Sequence, residues 1–68
     1  MDAARLKEKI ISQNTTIEAV AEAANMDRSN FYRKLKNNGK GFTVEEVKLL
    51  AKALNMNPAE STDIFFAP

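Results

Sequence analysis

Apolar positions recur along the chain at three- and four-residue steps, a spacing that predicts amphipathic helices. The pattern divides into five stretches, at about residues 2–13, 16–24, 28–36, 43–54 and 58–66. No stretch alternates apolar and polar residues as a half-buried strand would. We therefore expect an all-α fold, a compact bundle of five short helices in one domain spanning residues 1–68.

The predicted helix starts carry side chains that accept hydrogen bonds from free backbone amides. The candidate N-caps are Asp2, Thr15 or Thr16, Asp27, Thr43 and Asn57. Thr43 with Glu46 has the spacing of a full capping box, and Thr15 with Glu18 has the same spacing. Pro58, which follows Asn57, suits the first position of a helix.

The second and third helices are separated by a corner of only three residues, Asn25-Met26-Asp27. Asn tolerates the left-handed conformation that turns a chain out of a helix, and Met26 can fill the corner. In the third helix, Phe31 and Leu35 face inward. The opposite face carries hydrogen-bond donors, which are Ser29, Arg33 and Lys36, flanked by Asn30 and Tyr32. Two short helices, a tight corner and a donor-rich outer face predict a helix-turn-helix that enters a DNA major groove.

These residues resemble a known family. Val20-Ala21, the corner Asn25-Met26-Asp27 and Phe31 are similar to the helix-turn-helix of phage repressors and Cro proteins, within the xenobiotic-response-element-like group. The later Leu49–Leu54 segment, LLAKAL, extends the resemblance over nearly the whole chain. It implies a lambda-repressor-like DNA-binding domain.

Three positions depart from the family pattern. Asn25 replaces the usual turn glycine, and Ile17 replaces a frequent glutamine that contacts DNA in relatives. Lys34 stands at a usually apolar position, so we expect Leu35 to take over its packing role.

Composition narrows the possible functions. The 68 residues include no cysteine and no histidine, which removes disulfides, thiolate chemistry and nearly all zinc sites. We expect no cofactor, no metal and no enzymatic activity, because the paired carboxylates Glu45-Glu46 and Glu18/Glu22 are explained by capping and by a solvated helix face. No segment is apolar enough to be a membrane span or a signal peptide, and we expect the protein in the cytoplasm of a bacterial host.

The net charge is only +1, but its distribution is uneven. Residues 28–43 contain five basic residues and no acid, so the other segments, with five basic and nine acidic residues, carry a balance of −4. Positive charge is therefore concentrated on the predicted recognition helix and the loop that follows it.

The expected DNA contacts fall into two classes. Candidate base contacts are Arg28, Ser29, Asn30, Tyr32 and Arg33. Arg33 fits the O6 and N7 edge of guanine and Asn30 fits adenine, whereas Arg28 could instead reach a phosphate. Candidate phosphate contacts are Thr16, Lys34, Lys36, Asn37, Asn38 and Lys40. Alternatively, this helix face is merely solvated, Tyr32 covers the core edge, and the loop of residues 37–41 is merely flexible.

The C-terminal residues Ile64, Phe65 and Phe66 are a candidate dimer or partner interface. Adjacent phenylalanines on a helix cannot both face one core, so one is expected inside and the other exposed or buried in a partner. The exposed aromatic residue motivates the hypothesis of a homodimer on a palindromic operator. The resemblance implies a sequence-specific transcriptional regulator, a Cro-like repressor of a phage or prophage that inserts residues 28–36 into the operator major groove. The alternative is an antirepressor or modulator that binds a partner repressor.

Overall fold

Five α-helices account for most of the chain. The computed structural model describes residues 1–67, and none of these lies in a β-strand. The helices are α1 Ala3–Ser12, α2 Ile17–Ala23, α3 Arg28–Lys36, α4 Val44–Ala53 and α5 Pro58–Phe65. The predicted bounds differ by at most one residue at each end because they included capping residues, which complete hydrogen bonds without being helical. The all-α, five-helix prediction is confirmed.

All five helices have the predicted type of N-cap. The capping side chains belong to Asp2, Thr16, Asp27, Thr43 and Asn57, and each accepts from the backbone amide three residues later. Thr16, not Thr15, caps α2, so the spacing of Thr15 and Glu18 does not form a capping box. Thr43 and Glu46 do form one: each side chain accepts from the other residue's backbone amide.

The first four helices all end with the same device. An asparagine one residue beyond the C-cap adopts a positive φ between 53° and 58°; these residues are Asn14, Asn25, Asn38 and Asn55. In each case the next residue donates its amide to the carbonyl five positions earlier, as Met26 does to Ala21 at 2.9 Å. This is the Schellman motif, which satisfies the last carbonyls of a helix. The prediction for Asn25 is confirmed, and the same role of the other three was not foreseen.

The core is formed by the inward residues of every helix. Leu6, Phe31, Leu50 and Leu54 are completely buried. Phe31 packs edge-to-face on Phe42, with ring centroids 5.6 Å apart, an arrangement that adds to the area buried by both rings. The inward faces predicted for α2, α3 and α4 are confirmed, although the edge positions Ile17 and Val47 are only half-buried.

The segment of residues 37–41 is a connection without regular helix, as expected. It forms successive hydrogen-bonded turns, in which the Gly39 amide donates to Lys34 O at 2.7 Å and Phe42 donates to Gly39 O at 3.3 Å. Gly39 has a φ of +79°, and a Cβ there would lie 2.6 Å from Met1 Sδ. A side chain at this position would be strained by the positive φ and would displace Met1, so glycine is favoured in this turn, which returns the chain from α3 to α4.

The two ends of the chain meet. The Asp2 amide donates to Ile64 O at 2.8 Å, and Lys9 forms an ion pair with Glu60 at 3.0 Å. The start and the last turn of α1 are therefore each linked to α5. Both Ile64 and Phe65 turn into the core, and only Phe66 remains exposed, at 71%. No helix within residues 1–67 has the length and apolar character needed to cross a membrane.

Candidate nucleic-acid interface

The corner between α2 and α3 is rigidly built. Asn25 takes the left-handed conformation, Met26 is buried beneath the corner, and Asp27 Oδ1 accepts from the Asn30 amide at 2.7 Å. Val20 and Ala21 on α2 are buried against the same core as Phe31. The orientation of α3 is therefore fixed by its buried face and by both sides of the corner, which leaves its outer face available.

The outer face of α3 brings two predicted base contacts together. Arg33 is exposed, and its guanidinium donates to the side-chain oxygen of Asn30. The bond occupies the Asn30 acceptor and fixes the guanidinium on the outer side of the helix. Ser29 and Lys36 are exposed on the same side. The face thus presents charged and polar donors in a defined arrangement.

Arg28 begins α3 and faces α2. Its guanidinium lies 3.5 Å from a carboxylate oxygen of Glu18, and both side chains remain more than half exposed. Exposed pairs of this kind are weak and are screened by salt. Glu18 therefore holds Arg28 only loosely, and a phosphate can compete for the guanidinium.

One flank of α3 faces α4 and is closed by an ion pair. Lys34 Nζ lies 2.9 Å from Glu46 Oε1, and the side chains are only 14% and 18% exposed. The ammonium also lies 5.8 Å from the centre of the Phe42 ring. Lys34 was a candidate phosphate contact, but its ammonium points into this cluster, so it does not join the donors of the outer face. The apolar packing of this stretch falls to Leu35, as expected from the sequence.

Glu46 serves both the cluster and the cap of α4. Burial raises the pKa of its carboxyl, but the hydrogen bond from the Thr43 amide and the neighbouring Lys34 ammonium outweigh this effect and lower the pKa below its ordinary value of 4.5. The carboxylate is therefore the favoured form in the folded protein. A single charged side chain thus joins α3 to the start of α4.

The opposite flank of α3 faces α1 and is open. Tyr32 is 45% exposed and Lys36 is exposed. They line a shallow depression of about 270 Å³ together with Lys7 of α1 and the edge of Leu35. The sequence alone does not single out Lys7, because only the tertiary fold brings this residue of α1 beside α3.

The arrangement of α2, corner and α3 agrees with a comparison against known families. A family model described as a Cro/C1-type helix-turn-helix DNA-binding domain matches residues 5–61. The chain belongs to this family. No curated protein and no solved structure matches it.

As a Cro/C1-type helix-turn-helix domain, the chain is a DNA-binding transcriptional regulator. The remaining candidate contacts surround α3. Thr16 caps α2, and its hydroxyl accepts from the Ala19 amide at 3.1 Å. Asn37, Asn38 and Lys40 are exposed in the turns that follow α3.

The three residues of the candidate interface at the C-terminus differ in burial. Ile64 and Phe65 are buried in the protein's own core, at 2% and 8% exposure, because the helical spacing places them on the inner face of α5. Their side chains therefore face the core and not the surface. Phe66 lies beside an apolar groove of about 510 Å³ between α4 and α5. The groove is lined chiefly by Phe42, Val47, Ala51, Met56 and Pro58.

Proposed function

We propose that this Cro/C1-type domain is a Cro-like repressor of a phage or prophage, and that it inserts α3 into the major groove of an operator. The observation that carries the proposal is the outer face of α3, where Arg33 and Asn30 are joined by a hydrogen bond and project from a helix fixed by a tight corner. A helix held by its buried face and by the corner that precedes it loses little entropy on docking. Repression follows by occlusion, because an operator that overlaps a promoter cannot hold the protein and polymerase together.

Each predicted contact except Lys34 has a role in this complex. Arg33 reads a guanine through its O6 and N7 edge, while Asn30 reads an adjacent base, adenine by preference, once DNA competes for its oxygen. Ser29 contacts a neighbouring base edge, and Tyr32 contacts a base edge or, through its hydroxyl, a phosphate. Arg28 reads a base or holds a phosphate after leaving Glu18. Phosphate contacts come from Thr16, Lys36, Asn37, Asn38 and Lys40.

The protein binds its operator as a homodimer. The exposed Phe66 of one copy packs in or beside the α4–α5 groove of the other. Exposed Lys48 and Lys52 on α4, with exposed Asp63 on α5, allow a two-fold contact to set opposite charges beside the apolar surface. A dimer places two recognition helices about one DNA turn apart, which suits a palindromic site.

The dimer is tested by Phe66→Ser. This substitution removes an exposed ring and no core residue, so the domain should keep its stability while self-association weakens. Sedimentation velocity over a concentration series measures the effect. Unchanged association of a folded variant would rule out this face as the dimer seam.

The function is tested by fluorescence anisotropy with the intergenic DNA beside the protein's own gene and with a scrambled duplex, over a salt series. We expect tighter binding to the first duplex, and Arg33→Ala should reduce this preference by ~1–3 kcal/mol. Weak binding that is equal on both duplexes and disappears at moderate salt would contradict a base-reading repressor.

The second candidate function is that of an antirepressor or modulator, favoured by the apolar groove and the exposed Phe66. In this case a partner repressor occupies the groove, and the basic face binds DNA weakly or only within the complex. Tight binding to a purified repressor encoded nearby, without specific DNA binding by the isolated protein, would favour this function over the first.

A further inference from the structure

Lys7 lies where α1 meets the open flank of the recognition helix. It lines two adjacent shallow depressions, and Tyr32 lines both of them. The first, of about 260 Å³, extends toward Thr16 at the start of α2. The second extends toward Lys36 on α3. Lys7 and Tyr32 therefore lie between two of the candidate phosphate contacts.

The charges around Lys7 favour an anion. Three of the ten basic side chains form ion pairs within residues 1–67: Lys9, Arg28 and Lys34. Lys7 and Lys36 belong to the remaining seven, and the depression they share contains no carboxylate. The neighbouring depression contains one, Glu18, which faces Arg28. The two ammonium groups at this depression repel each other, and a bound anion would offset that repulsion.

We propose that Lys7, Tyr32 and Lys36 form a clamp for one backbone phosphate of duplex DNA. The inference rests on the proposed function, and it adds a residue of α1, outside the helix-turn-helix, to the DNA interface. The ammonium groups supply charge-assisted hydrogen bonds, and the tyrosine hydroxyl donates a third. The clamp positions the protein and carries no base preference, because phosphates are the same at every step of the duplex.

The location of the clamp fits a phosphate better than a base. Lys7 is on a different helix from Asn30 and Arg33 and lies at the side of α3. In the proposed complex, the sugar-phosphate backbone that borders the major groove runs along this side. When α3 lies in the groove, a donor on its flank meets the backbone first. The opposite flank cannot do the same, since Lys34 is paired with Glu46.

Lys7→Gln tests the clamp, and Arg5→Gln is its matched control. Arg5 is on the same helix, is exposed, and lines a separate depression with Glu8, Lys9 and Glu60. Both substitutions remove one positive charge from α1 and spare the core, and thermal melting checks that each variant is folded. Arg33→Ala is included as the base-reading reference.

We expect Lys7→Gln to weaken binding several-fold on specific and scrambled duplexes alike and to lower the steepness of log K against log salt by about one per bound protomer. Arg5→Gln should have a much smaller effect on both quantities. If Lys7→Gln and Arg5→Gln are indistinguishable while Arg33→Ala loses specificity, the clamp is wrong and the DNA-binding function stands. If Lys7→Gln reduces binding only to the specific duplex, Lys7 reads a base and the clamp is again wrong.

A second measurement separates backbone phosphate from free anion. The NMR signals of Lys7, Tyr32 and Lys36 are followed during titration with duplex DNA, and separately with inorganic phosphate at constant ionic strength. We expect saturable shifts with DNA and only weak, unsaturated shifts with inorganic phosphate. Saturation by inorganic phosphate alone would identify a free-anion site and overturn the assignment to DNA. If the protein binds no duplex at all, the proposed function is wrong, and the clamp that rests on it is wrong as well.

Discussion

Each flank of α3 carries a lysine, but the fold neutralises only one of the two lysines. Lys34 and Lys36 are two residues apart on α3, yet the first lies 2.9 Å from Glu46 and the second is exposed beside Lys7. Two residues correspond to about 200° around a helix, so the two lysines face different neighbours. The helix that packs on each side decides whether a lysine holds the fold together or remains available for DNA.

The comparison also separates two tasks of the basic segment. On the α4 side, Lys34, Glu46 and Phe42 form a contact that positions α3, and its charge is neutralised internally. On the α1 side, positive charge is kept unpaired at the surface. The basic segment of residues 28–43 therefore attracts phosphates less strongly than its five basic residues indicate, because Glu46 neutralises the charge of Lys34.

The closed flank should be the more important one for stability. Glu46→Ala removes the reciprocal half of the α4 capping box and leaves Lys34 half-buried without its carboxylate, so the free energy of unfolding should fall by about 2 kcal/mol. Urea denaturation measures the change. Glu45→Ala, an adjacent exposed acid in the same first turn, should cost less than about 0.5 kcal/mol. An equal loss in both variants would mean that the cluster contributes nothing specific.

Substituting the two lysines on opposite flanks of α3, one at a time, should separate the effect on stability from the effect on DNA binding. Lys34→Met keeps an apolar stem against Phe42 and should cost about 1 kcal/mol of stability while leaving the salt dependence of DNA binding unchanged. Lys36→Gln should leave stability within about 0.5 kcal/mol and reduce the salt slope by about one per protomer. A reduced slope for Lys34→Met would show that its ammonium leaves Glu46 to bind a phosphate.

The closed flank should also respond to acid. The pKa of Glu46 is lowered in the folded protein, so its contribution to stability is present above the ordinary value of 4.5 and is lost as pH falls through the lower, folded-state pKa. The stability difference between wild type and Glu46→Gln should therefore shrink on acidification. Thermal melts of both proteins from neutral pH downward measure it. A difference that stays constant would mean that the Glu46 carboxylate is not selectively stabilised by folding.

The sequence predicted the elements well because the signals for them are local. Helical spacing, the caps Asp27 and Thr43, and the proline at the start of α5 each act within one turn, and the structure has them where they were expected. The repeated role of asparagine at four helix ends was visible in the same way, since each follows a C-cap, but only Asn25 was recognised.

The missed features depend on contacts between helices. Nothing near Lys34 in the sequence indicates that Glu46, twelve residues later, pairs with it, and nothing near Lys7 places it beside Tyr32. For Phe65 and Phe66, the sequence predicted only part of the outcome. Helical spacing predicted that one would be inside, whereas the packing of α5 against α1 decides that it is Phe65.

The most direct test of the account is NMR shift mapping of the protein with its operator duplex. We expect the largest changes at Asn30 and Arg33, with smaller ones at Tyr32 and Lys36, and little change at Lys34 and Glu46. Changes confined to the α4–α5 groove around Phe66, with the outer face of α3 unaffected, would contradict the claim that α3 reads the DNA.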